Sequence, residues 1–393
     1  MSRRGLRRLA LVCLLALLLC GCERLYIDTY ISVTDHEEMQ PDAGSDEYSY
    51  EVHTYSGIRS ALLELIASGA SEGLIRAQDY AGSLQDDISR ACLDVTRETP
   101  IGAYAVEYIT HTVSRILSAY EIRLHISYRI GQEELNSVQS VLSAQELYRL
   151  MDSALTAGKG KLAAQIATLS VSAQTLTGYA ENFYRQNPDR LSAKPSVSVS
   201  FYPSEEHVSK IIELSFVYPL TPDEEATRLA QLSEAADAVL SGISPQNEAD
   251  TVLQCCRALA DRAAAQSSGS TAYDALALHG ADSEGFAMAL QLLCSRLGIE
   301  CQVVEGKMDG DTHFWNIVKL GQKYGHVDPF ACAAGAAAGI AGDEELIGVY
   351  WWDVERYPQC AVSSAAVQRE ENGIVPMPEE QTFEESESAP ETP

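Results

Sequence analysis

Alternating hydrophobic and polar residues mark one strand more clearly than any other part of the N-terminal half of the chain. Between residues 120 and 130 apolar side chains occupy every second position, which predicts a strand with one buried face. The same alternation returns between residues 210 and 218, and a helix, a short strand and a second helix precede each copy. The sequence therefore predicts an α+β domain over residues 51–243 that contains two related halves. The spacing of apolar residues in 106–112 suits a helix or a strand. If the two halves are related, this segment is a strand.

A pattern at helical spacing dominates the C-terminal half. Apolar residues recur there at intervals of three and four positions, which predicts a helix from Ser283 to Arg296 with one apolar face. The recurring residues are Phe286, Leu290, Leu293 and Leu297. Gly298 follows where a C-terminal cap is expected.

Three strands are predicted after this helix, over residues 299–304, 314–320 and 323–327. The last two form a hairpin through a two-residue turn, with Leu320 paired to Lys323. Because this register places Asp328 opposite Trp315, His313 and Asp328 become diagonal neighbours on one face of the hairpin. Side chains at such positions are within reach of each other.

Three short motifs in this region carry a resemblance to a known family. They are Asp282-Ser283-Glu284-Gly285-Phe286-Ala287, His313-Phe314-Trp315-Asn316 and His326-Val327-Asp328. They resemble the core of the transglutaminase-like superfamily, a papain-related group in which a Cys opens a helix and a His and an Asp follow on paired strands. The resemblance implies a papain-like α+β domain, which we place at residues 244–362 after the helix break at Ser244-Pro245. Its implied catalytic positions are Ser283, His313 and Asp328, with Ser283 where the family has Cys.

The Ser at the nucleophile position changes the chemistry that this domain can perform. In a Cys-His-Asp site the helix N-terminus and the imidazole lower the pKa of the thiol from about 8.5, so a thiolate exists before substrate arrives. A Ser hydroxyl is not ionised in this way and must give its proton to a positioned base during attack. Since Ser at the start of a helix is most often an N-cap, that structural role is the alternative for Ser283.

The composition excludes several classes of function. The formal net charge is -28, so binding of nucleic acid through a basic face is not expected. Seven cysteines follow Cys22 and none has Cys-x-x-Cys spacing, so neither a metal site nor a cofactor is predicted. We interpret most of these cysteines as small core residues. Cys332 and Cys360 are the one pair considered for a disulfide.

Residues 1–21 have the composition of a signal peptide, because four Arg residues precede an apolar stretch too short to span a membrane. Leu19-Cys20-Gly21-Cys22 resembles the bacterial lipobox, which implies cleavage before Cys22 and lipidation of that residue. Ordinary secretory cleavage is the alternative. Residues 22–50 are predicted to be an acidic tether and residues 363–393 a disordered acidic tail. The predicted location is extracytoplasmic, lipid-anchored to the bacterial cell membrane.

Three functions follow from these observations. The first is an anchored lipoprotein whose transglutaminase-like domain lacks its nucleophile and binds peptide or cell-envelope material. The second is an acyl-transfer enzyme, an amidase or peptidase, that uses Ser283, His313 and Asp328. The third is a structural module of the envelope. The absence of Cys favours the first and third, while the presence of both His313 and Asp328 favours the second.

Overall fold

The computed structural model describes residues 42–43, 49–244 and 246–362. The predicted signal peptide at residues 1–21, Cys22, most of the tether and the tail at residues 363–393 lie outside the described residues. Ser49 and Tyr50, which the sequence analysis placed in the tether, are buried residues of a strand instead. Within the described ranges no helix is long and apolar enough to cross a membrane.

The chain divides into two compact units, one ending at Leu135 and the other beginning at Asn136. The elements of the first unit are β1 (Asp42–Ala43), β2 (Ser49–Val52), α1 (Tyr55–Ser68), β3 (Glu72–Gln78), α2 (Leu84–Glu98), α3 (Pro100–Ala105), β4 (Val106–Ile116) and β5 (Ala119–Tyr128), and α4 (Gln132–Asn136) lies at the boundary. The strands form one sheet in the order β1-β2-β3-β5-β4. Only the β2–β3 pair is parallel, because α1 crosses between these strands. Ile58, Ile88 and Ile122 are fully buried between the helices and the sheet.

The second unit opens with the same arrangement of elements. These elements are β6 (Gln139–Val141), α5 (Ala144–Thr156), β7 (Lys161–Ile166), α6 (Ala173–Gln186), β8 (Ser196–Tyr202), β9 (Lys210–Val217) and α7 (Pro222–Leu240). The sheet order is β6-β7-β9-β8, with β6 and β7 parallel and the other pairs antiparallel. This order matches that of β2, β3, β5 and β4, and it is the arrangement expected of two related halves. A common origin of the halves stays a prediction.

The remaining elements build a second sheet around a central helix. They are α8 (Glu248–Arg262), β10 (Ala264–Ala265), α9 (Ala272–Leu276), β11 (Gly280–Ala281), α10 (Ser283–Arg296), β12 (Cys301–Met308), β13 (Asp311–Leu320), β14 (Lys323–Val327), α11 (Pro329–Ala333), α12 (Asp343–Leu346) and β15 (Tyr350–Trp352). The antiparallel sheet has the order β14-β13-β12-β15. Most of α10, from Gly285 to Cys294, is buried against this sheet and the neighbouring helices, so α10 is the centre of the unit.

The predicted domain boundary at residue 244 differs from the boundary between the compact units. The hydrophobic core of the second unit is continuous from Val141 to Ile340, and polar contacts cross the predicted boundary. Arg296 binds Asp237 of α7 at 2.6 Å. The side-chain amide of Gln186 donates to Val303 O and accepts from Val303 N, both at 3.0 Å. The second of the two predicted halves is therefore part of the same compact unit as α10 and its sheet.

Candidate active site

Ser283 is the first residue of α10 and does not cap it. Asp282 is the N-cap, and its side chain accepts a hydrogen bond from Gly285 N at 3.1 Å. The N-cap role considered for Ser283 is therefore wrong. A side chain at Gly285 would place its Cβ 2.5 Å from Gly269 O, so only glycine permits this close approach of the loop. Ser283 is 9% exposed, and its Oγ accepts a hydrogen bond from Phe314 N at 3.3 Å.

His313 and Asp328 lie together because the hairpin has the predicted register. β13 and β14 pair from Leu320–Lys323 to Asn316–Val327, and His313 Nε2 lies 2.7 Å from Asp328 Oδ2. His313 is 5% exposed. With Nε2 bound to the carboxylate, Nδ1 is the ring nitrogen left for a nucleophile or a ligand.

Two further contacts hold the Asp328 carboxylate in place. Its Oδ1 accepts from Ala331 N at 2.8 Å, so Asp328 is also the N-cap of α11. The Tyr350 hydroxyl donates to Oδ2 at 2.7 Å. Burial raises the pKa of Tyr350, and the nearby Asp328 carboxylate adds to this effect, so the hydroxyl keeps its proton. Asp328 therefore presents a fixed acceptor to the imidazole.

Aromatic rings surround the imidazole of His313. Phe330 and Tyr350 meet it edge to face, each with ring centroids 5.8 Å away, and Trp315 lies at 6.2 Å with nearly parallel rings. These rings exclude water from the imidazole, which strengthens its hydrogen bond to Asp328.

The three predicted site residues lie close together, but only two of them are hydrogen bonded to each other. Phe314 follows His313 directly in β13, and its backbone N–H donates to Ser283 Oγ. Ser283 therefore lies beside the part of β13 that carries His313. Among the contacts of the described residues, no hydrogen bond joins Ser283 Oγ to His313. The site therefore contains an oriented His313-Asp328 pair, while the nearby Ser283 hydroxyl accepts a hydrogen bond from Phe314 N instead.

Arg185 of α6 is a site residue that the sequence analysis missed. Its guanidinium donates to Glu284 at 2.7 Å and to Glu305 at 2.8 Å, and it lies 5.0 Å from the centre of the Phe314 ring. Burial alone would lower the pKa of Arg185, but the two carboxylates outweigh it and hold that pKa above its usual value. Arg185 thus holds both Glu284 and the Phe314 ring in place. Glu284 follows Ser283 in the chain, and Phe314 donates the hydrogen bond that Ser283 accepts. In the sequence Arg185 is a single basic residue near the end of a helix, and no motif around it indicates this role.

A second buried His lies behind the site. Trp315 Nε1 donates to His326 Nδ1 at 3.0 Å, so the ring proton is on Nε2, which donates to Asp343 at 2.9 Å. Burial lowers the pKa of His326. Its neutral form therefore completes a chain of hydrogen bonds from Trp315 to Asp343.

His326, Asp343 and Cys360 form a cluster in which three ligand atoms lie within 4.8 Å of one another. This cluster does not suit a metal ion in the arrangement described. Both ring nitrogens of His326 are engaged, and burial raises the pKa of the Cys360 thiol to about 12. A metal ion would have to displace the proton that His326 donates to Asp343 and the proton of the Cys360 thiol. We interpret the cluster as structural. Cys332 and Cys360 are both in the thiol form, so the disulfide considered between them is not formed.

Comparison with known families supports the interpretation of the motifs. The model of the transglutaminase-like superfamily matches residues 236–329, the segment that contains Ser283, His313 and Asp328. The segment is a transglutaminase-like domain. The predicted fold class, α+β with a transglutaminase-like domain, is thereby confirmed.

Two solved structures are similar to the chain at low identity. One is described as a TGase, with 12% identity, a TM-score of 0.25 and coverage of 52% of this chain and 61% of that structure. The other is a candidate cysteine protease from Cytophaga hutchinsonii, with 15% identity, a TM-score of 0.23 and coverage of 38% and 74%. The chain thus spans less than two thirds of the first structure. The comparison with curated proteins found no match.

Proposed function

We propose that the transglutaminase-like domain binds peptide or cell-envelope material beside His313 and does not catalyse acyl transfer. The observation that supports this proposal best is the hydrogen bond from Phe314 N to Ser283 Oγ. The oxygen that would have to attack is held by this bond, and its proton is not donated to His313. A Ser nucleophile needs a base hydrogen bonded to its hydroxyl, and His313 does not supply that contact here.

Two exposed apolar side chains of the second unit support a binding role. Ile347 is 70% exposed and Trp351 is 64% exposed, and both lie close in the chain to Tyr350, which binds Asp328. Exposed apolar side chains can take part in binding another molecule. Trp351 follows Tyr350 in β15, so its side chain lies on the opposite face of that strand.

An experiment with isolated cell-wall sacculi tests the binding role. We expect the wild-type protein to be retained on sacculi and Trp351→Ser to be retained less. Leu142→Ser is the matched control, since Leu142 is 87% exposed and lies on the segment before α5. Equal retention of all three proteins would contradict binding through Trp351.

The second candidate, a Ser-His-Asp amidase or peptidase, is favoured by the 2.7 Å contact between His313 and Asp328. A fluorophosphonate probe, which reacts with activated serines, separates the two functions. We expect no labelling of the wild-type protein above the level of Ser283→Ala. Labelling that disappears in Ser283→Ala would establish the enzyme instead.

The location of the protein is proposed from the sequence alone. The lipobox pattern at Leu19–Cys22 supports lipidation of Cys22 and anchoring at the outer face of the cell membrane. We expect Cys22→Ala to move the protein from the membrane fraction to the soluble extracytoplasmic fraction. Retention of Cys22→Ala in the membrane, together with the absence of an acyl chain on the wild-type protein, would argue against the anchor.

A further inference from the structure

The sheet of the first unit has an open edge at β4. β4 is the last strand in the order β1-β2-β3-β5-β4, and β5 pairs with one side of it along its whole length. No strand pairs with its other side in the part of the chain that the structure describes. β4 is 11 residues long, and a long unpaired edge is a template for another strand. This edge is therefore a candidate interaction surface.

Exposed apolar side chains gather at the same edge. Five large apolar side chains are exposed among the described residues of the first unit, and four of them lie on β4, β5 or the turn between them. These four are Tyr108, Ile116, Leu117 and Tyr120. Leu117 is 93% exposed and has a φ of 57°, a backbone conformation in which glycine or asparagine is more usual. Neither burial nor turn geometry within one chain accounts for a Leu there.

The sequence of β4 is nearly symmetric about His111. When two copies of β4 pair antiparallel with a two-fold axis at His111, each residue faces the one equally far from His111 in the second copy. The strand is regular from Tyr108 onward, and its pairs are Thr110 with Thr112, Ile109 with Val113 and Tyr108 with Ser114. At the ends of this run, Arg115 of one copy lies beside Glu107 of the other. Thr pairs, aliphatic pairs and opposite charges all stabilise neighbouring strands.

The same register brings an exposed side chain to an open cavity. This cavity of about 400 Å³ lies between α2 and the start of β4, and its lining includes Leu93 and Val106. With the axis at His111, Ile116 of the second copy faces Val106, and Leu117 of that copy comes next. The apolar side chain that projects furthest from one copy thus lies where the cavity of the other copy opens.

We propose that two copies of the chain form a dimer in which β4 pairs with β4 about a two-fold axis at His111. Charge does not oppose this contact, because residues 106–129 contain three Arg and two Glu and lack the strong negative charge of the whole chain. Ile109 and Val113 pack against the core of their own unit, so their pairing joins the two cores along the edge. The inference concerns the first unit and does not rest on the function proposed for the candidate site.

The test measures the mass of the full-length protein in solution by gel filtration with light scattering, with bound detergent subtracted. We expect the mass of two chains for the wild-type protein. Thr110→Lys/Thr112→Lys places lysines opposite each other in both Thr pairs, so this variant should have the mass of one chain. Thr110→Glu/Thr112→Glu should behave likewise. An equal mixture of the two variants should regain the mass of two chains, which a misfolded protein would not do.

The corresponding edge strand of the second half provides the matched control. Ser198 and Ser200 of β8 are exposed and two residues apart, as Thr110 and Thr112 of β4 are. Ser198→Lys/Ser200→Lys should keep the mass of two chains. Dissociation of this control, a single-chain mass for the wild-type protein, or an unchanged mass for the β4 lysine variant would overturn the proposal.

A cysteine at the axis tests the register. Facing residues of antiparallel strands have Cα atoms about 4.5–5.5 Å apart, which suits a disulfide. His111→Cys should therefore give a cross-linked dimer on mild oxidation. Ser114→Cys should stay at the level of the wild-type protein, because six residues at about 3.4 Å each separate it from its counterpart. Equal cross-linking of the two variants would show that the axis does not lie at His111.

Discussion

Replacing Arg185 by Met should destabilise the second unit strongly, because it leaves two carboxylates without their cation. The Arg185 and Glu284 side chains are 9% and 16% exposed, so their ion pair is of the buried kind. Removing one partner of a buried pair costs about 3–5 kcal/mol. Glu305 is 42% exposed and adds no more than about 1 kcal/mol. Since Glu284 keeps some contact with water, we expect a loss of about 3 kcal/mol.

Tryptophan fluorescence during urea unfolding measures this loss in the relevant unit alone. The chain has three tryptophans, Trp315, Trp351 and Trp352, and all belong to the second unit. With a urea dependence of about 2–3 kcal/mol per M, the midpoint for Arg185→Met should fall by about 1–1.5 M. Lys194→Met is the matched control, since Lys194 and Glu181 are both 44% exposed, and it should cost about 1 kcal/mol or less.

A double-mutant cycle tests whether the unpaired charge of Glu284 causes the loss of stability in Arg185→Met. Glu284→Gln removes the charge that Arg185→Met leaves buried, so the double variant should be more stable than the sum of the single losses predicts, by about 1 kcal/mol or more. A loss below about 1 kcal/mol for Arg185→Met, or additive losses in the cycle, would refute the role assigned to this ion pair.

Three further predictions concern the site, the pH dependence and the domain boundary. Ser283→Cys should give a thiol whose pKa lies below about 8.5, measured by iodoacetamide labelling across pH. Adding His313→Ala should raise that pKa toward the model value, because only the effect of the helix N-terminus remains. A pKa independent of His313 would show that the imidazole does not reach position 283. Because burial lowers the pKa of His326 in the folded state, its contribution to stability is present above about pH 6.5 and is lost as pH falls below that value. His326→Gln should therefore unfold at lower urea than the wild-type protein at pH 7.5 and change less between pH 7.5 and 5.5, and an unchanged slope would count against this assignment. A fragment of residues 136–362 should fold with a cooperative unfolding transition, whereas residues 244–362 should not, and a folded shorter fragment would restore the boundary predicted from the sequence.

Local patterns were sufficient to predict the centre of the site. The helix from Ser283 to Arg296 and the pairing of Leu320 with Lys323 agree with the structure. Both depend on residues close together in the chain, where periodicity and turn geometry determine the conformation. The proximity of His313 and Asp328 followed from that register.

Features that depend on distant residues could not be predicted in this way. Gln139–Val141 form a strand because they pair with β7, a pairing that local periodicity does not show, and Ser143 caps the helix that follows. Arg185 reaches Glu284 and Glu305 across a large separation in sequence. The predicted boundary at residue 244 differs from the boundary of the compact units for the same reason, because a break between helices does not show which cores the flanking segments share.

The paired hydrogen bonds between Gln186 and Val303 also bear on aggregation. β15 pairs with β12 only from Gly306 to Met308, so the outer edge of β12 near Val303 has no strand beside it among the described residues. An open edge of this kind is a template for pairing with another chain. The amide of Gln186 offers one donor and one acceptor to Val303, as a neighbouring strand would. A single side chain of α6 thus occupies the edge of β12 where another chain could add a strand.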